Sequence, residues 1–216
     1  IQVMRGFALQ LGVRCQFCHV TEPIPAGSTG AAGGGPSERT VFKADDKVEK
    51  RTARFMIRMV DSLNHAILPT LPDRQDPPVV VECATCHRGS PLPQTLDMVL
   101  RAVINRYGAD SAVARYKALR EDMVLGRYDF GEWSINELAR TLTATGKVSD
   151  AIAMLKMNQQ YYPESADIDF ALAENYMKLG DKDQAIQSYR AVLSKRPDDQ
   201  RAKRRLTELG ASPAGG

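Results

Sequence analysis

Two short segments of the same pattern constrain this chain more than anything else in it. Cys15-Gln-Phe-Cys18-His19 and Cys83-Ala-Thr-Cys86-His87 use all four of its cysteines and two of its three histidines. Two intervening residues let a pair of thiols reach the two vinyl groups on one edge of a porphyrin. The histidine that follows turns its imidazole toward the iron from the proximal side, so Cys-x-x-Cys-His reads as c-type haem attachment. Two other chemistries use paired cysteines. A zinc site made of two Cys-x-x-Cys knuckles usually has its pairs much closer than Cys18 and Cys83, and gives no reason for a histidine after both. A thioredoxin-like redox pair expects a strand–helix context and would not be doubled in this way. The motifs therefore predict two covalently held haem c groups, with no cysteine left for a disulfide.

The sixth iron ligand decides between electron transfer and chemistry at the metal. A second strong ligand closes the iron to small molecules, and methionine opposite histidine is the usual cytochrome c choice. Of the eight methionines, Met4 lies on the apolar stripe Ile1, Met4, Phe7, Ala8 and Leu11 of a helix that Gly12 ends, just before the first motif. Met56 and Met59 lie on the stripe Val48, Phe55, Met56, Met59, Val60, Leu63 and Ile67 of a second helix, expected over Asp45–Leu68 with Pro69 beyond it. His65 is the one free histidine. Periodicity does not choose among these sulfurs.

Between the two helices, residues 23–37 (PIPAGSTGAAGGGPS) hold five glycines and three prolines and read as a mobile loop. A proline-rich turn over 69–78 and the apolar run Val79–Val81 lead into the second motif. Leu96–Tyr107 and Ser111–Leu125 read as two further helices. Beyond them a period of 34 residues pairs Leu138 with Leu172, Ala139 with Ala173, Gly146 with Gly180, Ala151 with Ala185 and Pro163 with Pro197. That is the tetratricopeptide period. It gives units Glu132–Ser165 and Ala166–Asp199, with Gln200–Leu209 as a capping helix.

The segments MRGFALQLGVRCQFCHV (4–20), ARFMIRMVDSLN (53–64) and VECATCHRGSPLP (81–93) resemble the cytochrome c subunit of photosynthetic reaction centres. In that family a helix donates the axial methionine, the chain turns, and a haem motif follows. The subunit generally carries four haems as two such pairs. This chain resembles one pair, over residues 1 to about 95, and a repeat domain stands where the second pair would be. The resemblance implies that Met4 serves the haem on Cys15 and Cys18, with His19 opposite it. It implies that Met56 serves the haem on Cys83 and Cys86, with His87 opposite, and that Met59 packs. His65 stays unassigned.

The fold expected is mainly α: a dihaem cytochrome c domain over 1–95, a helical connector over 96–130, and a tetratricopeptide solenoid over 131–216. The expected function is one-electron relay through two haems, without catalysis. The repeats would dock redox partner proteins, join a membrane electron-transfer complex, or stack copies into an extracellular filament. The alternative is a haem enzyme or sensor with one open coordination site. No nucleic-acid partner is expected on charge grounds: residues 1–95 hold 11 Lys/Arg against 9 Asp/Glu, residues 96–216 hold 18 against 17, and the net charge is +3. No apolar run is as long as a membrane span. The resemblance to c-type cytochromes implies thioether attachment outside the bacterial cytoplasm, so the mature chain is expected in the periplasm, at a membrane surface or outside the cell. Ile1 falls inside a helical pattern, so residues upstream are expected to have been removed or left out.

Overall fold

The computed structural model describes residues 2–24, 38–73, 76–122 and 126–212. The chain is mainly helical and forms two compact units, residues 1–93 and residues 94–216. Most of the loop expected over 23–37 lies outside the described residues.

In the first unit, α1 (Gln2–Leu11) ends at Gly12, whose φ of +63° is left-handed. A Cβ on Gly12 would also lie 2.2 Å from the Gly89 carbonyl oxygen, so glycine is required twice over. Gly12→Ala is expected to lower the melting temperature by more than the roughly 1–2 kcal/mol of left-handed strain alone would cause. A melt matching that of the parent would contradict the close approach.

The first motif forms a single helical turn, α2 (Cys15–Cys18). Two strands follow that the sequence reading missed. β1 (Val20–Pro23) pairs antiparallel with β2 (Glu38–Val41), and Arg39 bridges to Glu22 across them at 3.1 Å. Next come α3 (Val48–Ser62), a π-helical turn (Leu63–Ile67) and a 3-10 turn (Leu68–Thr70). The α-helix expected over Asp45–Leu68 is thus shorter at both ends. At its start, the Arg51 guanidinium takes up the Asp45 and Asp46 carbonyls at 2.9 and 2.8 Å. At its end, the backbone widens and then tightens around Pro69. The second motif is α4 (Cys83–His87), where Thr85 Oγ1 accepts from the Glu82 amide at 3.0 Å.

The second unit contains α5 (Leu96–Tyr107), α6 (Ala109–Glu121), α7 (Glu132–Ala144), α8 (Val148–Tyr161), α9 (Ala166–Leu179), α10 (Lys182–Lys195) and α11 (Gln200–Glu208). The 34-residue frame is visible in its backbone. Gly146 and Gly180 turn the chain at φ +79° and +80°, which only glycine adopts without strain. Tyr162 and Arg196, each before a proline, leave the helical region at φ −130° and −131° and end α8 and α10. Ser165 and Asp199, also 34 apart, cap α9 and α11 by accepting backbone N–H bonds.

The segment expected as a connector packs into the same core as the repeats. Leu96, Leu100 and Ile104 of α5 and Ala112, Tyr116 and Leu119 of α6 are buried with Ile135, Leu138, Leu155, Ile168 and Leu206. The division by packing falls after Pro93, and α6 ends at Glu121, with residues 123–125 outside the described set. Arg120 fastens α6 onto the repeats. Its guanidinium lies 4.4–6.0 Å from the ring centres of Tyr116, Phe130, Tyr161 and Tyr162. It also donates to the Phe130 carbonyl at 3.0 Å.

Candidate functional site

Burial in the first unit runs opposite to that of an ordinary domain. Among the described residues, every buried hydrophobic side chain lies at or beyond Leu96, whereas fourteen of the eighteen exposed large hydrophobics lie before Pro93. Phe55 is 62% exposed, Val80 63% and Leu9 78%. The residues that are buried there are His19 at 8% and Lys50 at 7%. Hydrophobic residues are normally the buried ones and a lysine almost never is. This unit carries apolar surface that its own side chains leave exposed.

The two motifs are tied into one frame by a reciprocal arrangement, in which each helix leading into one motif packs on the other. At the end of α1, the Gln10 carbonyl accepts from the Gly89 amide at 2.9 Å, just after the second motif. At the start of α3, Lys47 Nζ donates to the Gln16 carbonyl inside the first motif. In the π-helical turn after α3, the Asn64 side chain clamps the backbone of Val81, donating to its carbonyl and accepting from its amide, both at 2.8 Å. Val81 is two residues before Cys83, so Asn64 sets where the second motif begins.

Cys15 and Cys86 are exposed, while Cys18 and Cys83 are half-buried and unpaired. Burial pushes the Cys18 and Cys83 thiols up from their ordinary range, Glu49 adding to the effect at Cys18 and Glu82 at Cys83. A spacing of three residues on a helical turn puts both thiols of each motif on one face.

The histidines differ. His87 Nδ1 lies 2.9 Å from the Ser90 carbonyl, which fixes the ring. His19 Nδ1 is buried with no hydrogen-bond partner among the described residues. Its ring meets Phe42 edge-on at 5.0 Å. Burial lowers the His19 pKa, and Lys50 and Arg54 lower it further. Lys50 is held by three acceptors at 2.7 Å each: the Phe42 carbonyl, the Ala44 carbonyl and Asp45 Oδ1. An ammonium has three protons, and all are used.

Met4 is 50% exposed in the first turns of α1. Met56 is half-buried near the middle of α3, and Met59 is 37% exposed one turn on. His65 points to solvent at 77% side-chain exposure and binds Asp61 of its own helix at 3.0 Å. Among the described residues, no three His, Cys, Asp or Glu side chains gather as a metal-binding cluster. A haem iron takes only one or two protein ligands, and paired thiols on a turn with a following imidazole are donors of that kind. Lys50 and Asn64 carried no signal in the sequence, because neither a buried lysine nor a clamping amide has a pattern.

A comparison with protein-family models matches the tetratricopeptide repeat over residues 142–209, which spans the end of α7 through α11. The repeat unit points to protein–protein interaction, since stacked helix pairs present extended concave faces. No curated protein matches the chain. Among the described residues, no helix is long and apolar enough to cross a membrane.

Proposed function

We propose that the chain is a one-electron carrier that holds two haem c groups in residues 1–93 and uses its repeats to engage other proteins or further copies of itself. The observation that carries this reading is the inverted burial of the first unit around two Cys-x-x-Cys-His turns. When bound, haem supplies a ferric/ferrous couple that takes up and releases one electron. Cys15 and Cys18, and Cys83 and Cys86, would hold the two groups by thioether bonds. His19 and His87 would be the proximal ligands, and by the family resemblance Met4 and Met56 the distal ones. The tie from Gln10 to Gly89 and the clamp of Asn64 on Val81 keep the two motifs at a fixed separation. In the repeats, Trp133 stands 73% exposed on α7, the kind of aromatic that interfaces bury. The work of such a carrier, and its attachment chemistry, belong outside the cytoplasm.

Half-exposed Met4 favours a second reading, in which the first haem keeps an open position and the protein senses or acts on a small molecule. Carbon monoxide binding by the reduced protein separates the two. Met56→Ala is expected to turn one haem high-spin and lower its potential, whereas Met59→Ala should cost only packing. Loss of the methionine–iron charge-transfer band in Met59→Ala, with Met56→Ala intact, would overturn the assignment.

A further inference from the structure

The surroundings of His19 and His87 differ in charge and in hydrogen bonding, and both differences act in the same direction. Around the first motif the nearby cations are Lys50, Arg54 and Lys47, and the nearby anions are Asp45, which pairs with Lys50 at 2.7 Å, and Glu49, so cations exceed anions by one. Lys50 is the nearest to being enclosed: its side chain is 9% exposed, and it bonds the carbonyl of Phe42, whose ring packs on His19. A cation held out of water is screened far less than one on the surface. It opposes the ferric state of an adjacent iron, which carries one more positive charge than the ferrous state. Beside the second motif, Glu82 precedes Cys83 and exposed Arg88 follows His87, so the flanking charges offset each other.

Hydrogen bonding adds to this. A ring N–H that donates to a carbonyl makes the opposite nitrogen a more basic ligand, which favours ferric iron. His87 has that partner in the Ser90 carbonyl at 2.9 Å. His19 Nδ1, 8% exposed, has none among the described residues.

On the two-haem reading above, we propose that the two sites are unequal by construction: the one on Cys15, Cys18 and His19 has the higher potential, and it holds the electron when the chain carries only one. Lys50 acts through its field and touches no iron ligand directly. In the half-reduced protein one electron, supplied by dithionite, would rest on the first site while the second stays ferric, with no proton or bond change required.

The test is an equilibrium redox titration of the full, haem-loaded chain, followed by haem absorbance. Two identical haems would also titrate in two steps, because the first electron repels the second, so the gap alone decides nothing. Lys50→Met is expected to lower the upper potential so that its ferrous-to-ferric ratio at a fixed poise falls about tenfold, about 59 mV for a one-electron couple, and to leave the lower potential in place. Lys50→Arg should restore the parent value. Arg54→Gln, at a residue 53% exposed, should give a smaller shift of the same sign and carries the test if Lys50→Met does not fold. A shift of the lower potential instead, or no shift in either variant, overturns the inference. Failure of the two-haem reading would look different, since the denatured protein would then carry no covalent haem to titrate.

Discussion

A chain with Cys15, Cys18, Cys83 and Cys86 all changed to Ala is expected to lose the fold of residues 1–93 while residues 94–216 keep their own cooperative melt. The argument rests on where apolar surface goes. Fully burying one large apolar side chain is worth about 1.5–3 kcal/mol, and a whole domain is stable by only about 5–15 kcal/mol. Fourteen such side chains in the first unit stay exposed on the protein itself, so covering even a few of them decides whether that unit folds. Two porphyrin faces per motif would do so, and without attachment nothing in the chain replaces them. The second unit has its own continuous core from Leu96 to Leu206 and should not respond. Limited proteolysis with mass analysis reads this directly: the variant should be cut throughout its N-terminal half and leave a resistant fragment beginning near Gln94. A haem-free variant whose first unit resists protease as the parent does would contradict the account.

Asp169→Ala is expected to destabilise the second unit by about 3 kcal/mol, read as a lower urea midpoint with an unchanged slope. In the 34-residue frame Asp169 stands where the first repeat has Ile135, and both are buried, at 1% and 0% exposure. The carboxylate is held by Lys195 Nζ at 2.6 Å and Gln159 Nε2 at 2.7 Å. Removing it leaves the Lys195 ammonium largely enclosed without its counter-charge. The figure sits at the low end for breaking a buried pair because Lys195 keeps 20% of its side chain in water. Replacing both partners, Asp169→Ile with Lys195→Met, should recover most of the loss, since a well-packed apolar pair often matches a buried ion pair. A double variant as unstable as the single one would show that the pair does more than fill an apolar position.

The repeats were legible because their spacing is enforced by backbone geometry. Gly146 and Gly180 sit at left-handed turns, Pro163 and Pro197 stop helices, and Ala139 and Ala173 sit in the buried core, so the same residue types recur every 34 positions. That α5 and α6 cover the repeats followed from repeat number and not from their own patterns: two units and a cap leave an apolar end open, and both helices pack into that core. β1 and β2 escaped notice. Each is four residues long, and a glycine-rich stretch separates them, so no alternating run is long enough to read. The candidate site was visible as two motifs and the methionines on the helices before them. Its supports were not: Lys50, Asn64 and the meeting of Gly12 with Gly89 depend on contacts between segments far apart in sequence.

The most direct measurement is the mass of the denatured chain after production with a c-type maturation system outside the cytoplasm. The account predicts the mass of the polypeptide plus two haems, no free thiol among Cys15, Cys18, Cys83 and Cys86, and no release of haem into acidified organic solvent. A chain at its bare polypeptide mass with four titratable thiols, made under conditions that load other c-type cytochromes, would contradict it.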